Sequence, residues 1–99
     1  MRQRLLASRS KLTNLRDTID LIDRNLLLLL AERQGLVRQI GALKRKSGRG
    51  VRDRNRERRV LLTQRSGARA LDLDEDMVEK IFLDVFGLAR ASQKPIVGR

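Results

Sequence analysis

The chain has 99 residues, 40% hydrophobic and 35% charged, with a formal net charge of +11. It contains neither Cys nor His, which excludes a disulfide framework, a thiolate- or imidazole-ligated zinc site and the usual Ser-His or Cys-His nucleophilic chemistry. One domain is expected, and a domain this small commonly recruits a partner subunit to complete its core.

Residues 1–10 are basic but carry no apolar segment. They read as a frayed or weakly helical tail rather than a secretory signal. No run approaches the roughly 20 apolar residues of a membrane span, so a cytoplasmic protein is expected.

Over residues 12–43 the apolar positions are Leu12, Leu15, Ile19, Ile22, Leu26, Leu29, Leu36, Ile40 and Leu43, in steps of three and four through position 33. That is a heptad seam, and Leu30 and Val37 widen it. The pattern predicts one continuous helix. About 35 residues at 1.5 Å each give a rod of roughly 50 Å, whereas a compact globule of this length has a radius of gyration near 13 Å. Two shorter helices do not suffice to cover such a stripe. An obligate homodimer with paired long helices is therefore expected.

A second helix is predicted over residues 54–70, with Asp53 as its cap and Val60, Leu61 and Leu62 as an apolar patch. Ser66-Gly67 is a candidate bend. A third is predicted over residues 75–92, capped by Asp74, with Leu73 and Val78 as a hydrophobic staple. Its expected buried face is Met77, Val78, Ile81, Phe82, Val85, Leu88 and Ala89. Pro95 limits continuation. The expected fold class is all-α, three helices per chain (one long, two shorter) in an intertwined homodimer.

Several charges stand out against this pattern. Position 33 of the seam is Arg33. A buried guanidinium must find an anion, either an acidic side chain or a ligand, unless it snorkels to the surface. Lys44 lies roughly 16 Å further along and within about 20° of the same helix face. The two cations could grip one small anion, although Lys44 also reads as a solvated charge beside Arg45 and Lys46. Arg16 lies roughly 25 Å before Arg33 and about 100° round the helix. It is either a surface residue or, in an antiparallel pair, a contributor to the partner's site. In VRDRNRERR, residues 51–59, Asp53 and Glu57 sit among cations. The segment is a solvated basic face, a nucleic-acid patch or a set of local ion pairs.

These residues carry a family resemblance. LRDTIDLIDRNLLLLLAERQGLVRQIGALK, from Leu15 to Lys44, resembles the first helix of the all-helical chorismate mutases. The matching pieces are Leu15-Arg16, Ile19-Asp20 with Ile22-Asp23, Ala31-Glu32-Arg33, and Ile40-Gly41 followed by Lys44. VRDRNRE at 51–57 resembles the start of the family's second helix, and LDEDMVEKIF at 73–82 the opening of its third. Gln93 falls where the family has its last active-site Gln. The resemblance covers about residues 12–93. It places a stand-alone mutase-like helical domain at 11–94, between the tail at 1–10 and a C-terminal tail at 95–99.

The resemblance implies an isomerase that converts chorismate to prephenate, toward phenylalanine and tyrosine, by an intramolecular Claisen shift. No cofactor or metal is implied. Arg33 and the partner chain's Arg16 would grip the two substrate carboxylates. Lys44 and Gln93 would donate to the ether oxygen. Glu57 and the backbone at Asp53 would contact the C4 hydroxyl, and Arg56 would stand at the rim. One position departs from the pattern: where the family commonly has a carboxylate-binding Ser, this chain has Ala89. That leaves open a relative acting on 4-amino-4-deoxychorismate or as an isochorismate pyruvate lyase. From another class, a basic helical nucleic-acid-binding dimer would explain the net charge but not a lone Arg in a Leu/Ile seam. With only Phe82 and Phe86 as aromatics, stacking platforms for single strands are nearly absent. Cations beyond the site could attract substrate or dock a partner enzyme of the pathway.

Overall fold

The computed structural model describes residues 2–48 and 53–93, with side chains described for 8–48 and 53–92. Three helices account for nearly all of it: α1 (Arg2–Lys46), α2 (Arg54–Ala70) and α3 (Glu75–Gln93). Among the described residues there is no strand, so the class is all-α.

α1 is 45 residues long and begins well before the apolar seam. Residues 2–10, read from the sequence as a frayed or weakly helical tail, continue the same helix. The physical reason is propensity: Leu5, Leu6, Ala7 and the flanking Arg residues are strong helix formers, and no Gly or Pro stops propagation once a helix exists. At its other end Lys44, Arg45 and Lys46 occupy the last turn, where cations favour the negative end of the helix dipole. The Ser47 hydroxyl donates to the Lys44 carbonyl at 3.0 Å. Gly48 then takes a φ of 76°, open to it because it lacks a Cβ, and its N–H donates to the Arg45 carbonyl at 3.1 Å.

Two compact units divide the chain, Met1–Glu32 and Arg33–Arg99. The first is the N-terminal part of α1 alone. Its seam lies open in a single chain, with Leu12 46%, Ile22 53% and Leu26 54% exposed. The second unit holds the rest of α1 together with α2 and α3.

Within that unit α2 and α3 pack against each other. Asp53 caps α2, its carboxylate accepting the Arg56 N–H at 2.9 Å. α2 runs as one continuous helix through Ser66-Gly67. It ends where the Leu73 N–H donates to the Ala68 carbonyl at 2.8 Å and the Asp72 N–H to that of Arg69 at 3.3 Å. This pairing needs a left-handed residue, supplied by Asp72 at φ 57°. Asp tolerates that region better than most non-glycine residues. Asp74 caps α3 by accepting the Met77 N–H at 2.9 Å.

The best-buried side chains of this unit are Ala68 on α2 and Phe86 on α3, 3% and 5% exposed. Around them, Arg65 pairs with Asp76 at 2.9 Å and Glu79 at 3.7 Å. Arg69 grips Glu75 through two hydrogen bonds of 2.8 and 3.2 Å. That fork holds the Glu75 carboxyl below the usual carboxylate range and raises the Arg69 guanidinium above its own. On the expected face of α3, Phe82 and Val85 are half-buried. Met77, Ile81 and Leu88 lie exposed in a single chain. Among the described residues no helix is long and apolar enough to cross a membrane.

Candidate active site

A cavity of about 180 Å³ opens where the three helices of the second unit meet. α1 lines it with Arg33, Val37, Ile40 and Lys44. These positions return to one helix face in steps of four, three and four, so a single stripe carries a cation at each end and apolar side chains between. Asp53, Arg56, Glu57 and Val60 come from the start of α2, and Phe86, Ala89 and Arg90 from one face of α3. A second hollow of about 200 Å³ shares Arg33, Arg56 and Val60, and adds Thr63, Gln64 and Phe82.

The sequence reading singled out eight residues. Arg33, Lys44, Asp53, Arg56, Glu57 and Ala89 all line the first cavity. Arg16 lies on the exposed N-terminal part of α1. Gln93 is the last residue of α3, and its side chain lies outside the described residues. The reading missed Arg90 and Phe86. Phe86 follows Phe82 by one helical turn, and Arg90 follows Phe86 by another. That spacing is the available signal in the sequence.

Arg33 is the centre of this arrangement. Its guanidinium lies 5.9 Å from the Phe86 ring centroid, within cation–π range. One of its nitrogens, Nη1, is buried and has no hydrogen-bond partner. A buried charged donor without an acceptor is costly, and such a group is stable where a ligand completes it. Asp53 is committed: the Arg56 N–H, with the charges of Lys44 and Arg59 behind it, holds its carboxyl below the ordinary value. Glu57 Oε2 stands 3.5 Å from Arg90 Nη1. Four cations (Arg33, Lys44, Arg56, Arg90) thus face two acids (Asp53, Glu57) around one small cavity. Its surplus of positive charge suits a compact dianion, and its apolar walls at Val37, Ile40, Val60 and Phe86 suit a carbon ring. Ser92 does not supply the hydroxyl missing at Ala89, because its own hydroxyl donates back to the Ala89 carbonyl at 2.8 Å.

Comparison with known proteins fits this geometry. The profile of the family described as chorismate mutase type II matches residues 15–94. The chain belongs to the chorismate mutase type II family. A T-protein of Enterobacter agglomerans is 39% identical over 72 residues, 73% of this chain and 19% of that protein. The bifunctional chorismate mutase/prephenate dehydratase of Escherichia coli K12 is 38% identical over 77 residues, 78% of this chain and 20% of that protein. This chain therefore spans about a fifth of the length of those two relatives. The chorismate mutase of Methanocaldococcus jannaschii is 32% identical over 84 residues, 85% of each chain. No solved structure matches significantly. Within a chorismate mutase type II domain, the Arg33 cavity falls inside the matched span, as do all of its lining residues.

Proposed function

We propose that this chain is a chorismate mutase, an isomerase that converts chorismate to prephenate without a cofactor. The observation that carries the reading is the buried, partnerless Nη1 of Arg33 at a four-cation cavity. Family membership and the relatives' names supply the substrate. Chorismate is a small dicarboxylate, and its rearrangement is intramolecular. It needs no nucleophile and no obligatory proton transfer, in keeping with a chain that lacks His and Cys. What accelerates it is a compact conformer held in place and charge stabilised on the breaking ether bond.

On this reading Arg33 binds one carboxylate in bidentate fashion, and Arg16 of the partner subunit binds the other. Lys44 donates to the ether oxygen, opposite Gln93. Glu57 and the backbone at Asp53 hold the C4 hydroxyl, and Arg56 closes the rim. Negative charge develops on the ether oxygen only in the transition state, so Lys44 acts mainly on kcat. The assay is loss of chorismate's diene absorbance. Lys44→Ala is expected to lower turnover about 10²–10³-fold, and unchanged turnover would remove Lys44 from the mechanism. Ala89 offers no hydroxyl to a carboxylate, which favours assaying 4-amino-4-deoxychorismate and isochorismate beside chorismate. A cytoplasmic location belongs to the same biosynthetic reading.

The dimer is part of the proposal. Leu12, Leu15, Ile19, Ile22, Leu26 and Leu29 are each about half exposed in one chain, and covering them with a second α1 stabilises by about 1 kcal/mol per residue. Complementation tests the shared site. Arg16→Ala and Arg33→Met proteins, each inactive alone, regain about a quarter of wild-type activity when unfolded together and refolded at equal amounts, because half the dimers then hold one intact site of two. No recovery would place Arg16 outside the site.

A further inference from the structure

Arg90 lines the cavity beside Ala89. Its Nη1 stands 3.5 Å from Glu57 Oε2, bridging α3 to α2. The Glu57 side chain is 22% exposed and that of Arg90 41%. A half-buried carboxylate has few productive orientations toward a bound ligand, and a guanidinium across the cavity selects among them. Helix spacing explains why Arg90 reaches Glu57: Phe86, Ala89 and Arg90 share one face of α3, and Phe86 is buried, which fixes the direction in which that face points.

We propose that Arg90 is a positioning residue that holds the Glu57 carboxylate against the substrate's C4 hydroxyl and thereby sets selectivity for a ring bearing a hydrogen-bond donor there. The inference rests on the chorismate reading above. Arg90 does not touch the reacting bond; it acts through Glu57. The contact between Glu57 and the hydroxyl is present in ground state and transition state alike, so its loss raises KM and leaves kcat nearly unchanged.

The test measures steady-state kinetics on chorismate and on its 4-deoxy analogue for wild type, Arg90→Met, Arg90→Gln, Arg90→Lys, Glu57→Gln and the Arg90→Met/Glu57→Gln double variant. Helix content is checked by circular dichroism, and the Gln variant serves if Met disturbs folding. A hydrogen bond to a charged group is worth tenfold or more, and a 3.5 Å contact belongs at the low end. The expected result is about a tenfold rise in KM for chorismate with Arg90→Met or Arg90→Gln and less than twofold on the analogue. Arg90→Lys recovers most of the loss, and Arg90→Met adds less than twofold in the Glu57→Gln background. Equal losses on both substrates, or a full loss in the Glu57→Gln background, would overturn the inference by showing that Arg90 binds the substrate directly or only supports the fold. Wild-type kinetics in Arg90→Met would overturn it too. A wild-type protein that leaves chorismate unchanged would instead overturn the chorismate reading, and this inference with it.

Discussion

Replacing Arg33 with Met should make the protein more stable and inactive at the same time. In the free protein Arg33 holds one buried donor, Nη1, without an acceptor. Leaving such a donor unsatisfied costs about 1–3 kcal/mol. Met has a comparable apolar stem and no donor, so the substitution removes that penalty. It also forfeits the cation–π contact with Phe86 at 5.9 Å, worth about 0.5–1 kcal/mol at a partly exposed site. The balance favours Met by about 1 kcal/mol, which corresponds to a rise in Tm of about 4–8 °C for a domain of this size. Turnover moves the other way: a lost bidentate carboxylate contact removes at least about 10²-fold in kcat/KM. Thermal unfolding followed by circular dichroism, and the diene absorbance assay, read the two effects on one sample. A variant less stable than wild type would show that an acid or another acceptor already completes Arg33. A stable variant with full turnover would show that the cavity's cations serve another ligand.

Two further outcomes follow from the packing. Phe86 is 5% exposed and supports the Arg33 guanidinium, so Phe86→Ala should cost about 3–5 kcal/mol, seen as a lower urea midpoint, and should weaken substrate binding as well. The Arg69 fork lowers the Glu75 carboxyl from its ordinary value of 4.5. A depressed folded-state pKa contributes stability that is complete above the unfolded value and is lost as pH falls through the folded one. Acid unfolding should therefore draw on Glu75 below about pH 4.5, and Glu75→Gln should remove that share of the pH dependence while Asp76→Asn leaves it in place.

Much of the fold is legible in the amino-acid order because its signals are local. α2 runs over Arg54–Ala70 as expected, since an Asp cap and the acidic break at 72–76 bracket it. α3 starts at Glu75 because Asp74 carries a capping carboxylate. The start of α1 is less legible than its course, since a helix without a cap or a breaker has no marked beginning. The site divides in the same way. Arg33 and Lys44 announce themselves by interrupting or extending an apolar stripe on one helix. Arg90 shows its importance only against Glu57, 33 positions away, and no periodicity within α3 encodes that meeting. Phe86 lies outside the expected face of α3 because an apolar run with several residues per turn offers more than one candidate face, and only tertiary packing chooses between them.

The reversal at Asp72 is brief: Leu71 to Asp74 join the end of α2 to the start of α3, with Leu73 bonded back to Ala68. Closing so short a connection costs little chain entropy, and neighbours in the chain find each other on the microsecond scale. This hairpin is therefore the natural first product when the chain renatures, ahead of any meeting between two molecules. In the proposed dimer the remaining step is second order, so the half-time for recovering a finished site shortens as more polypeptide is added.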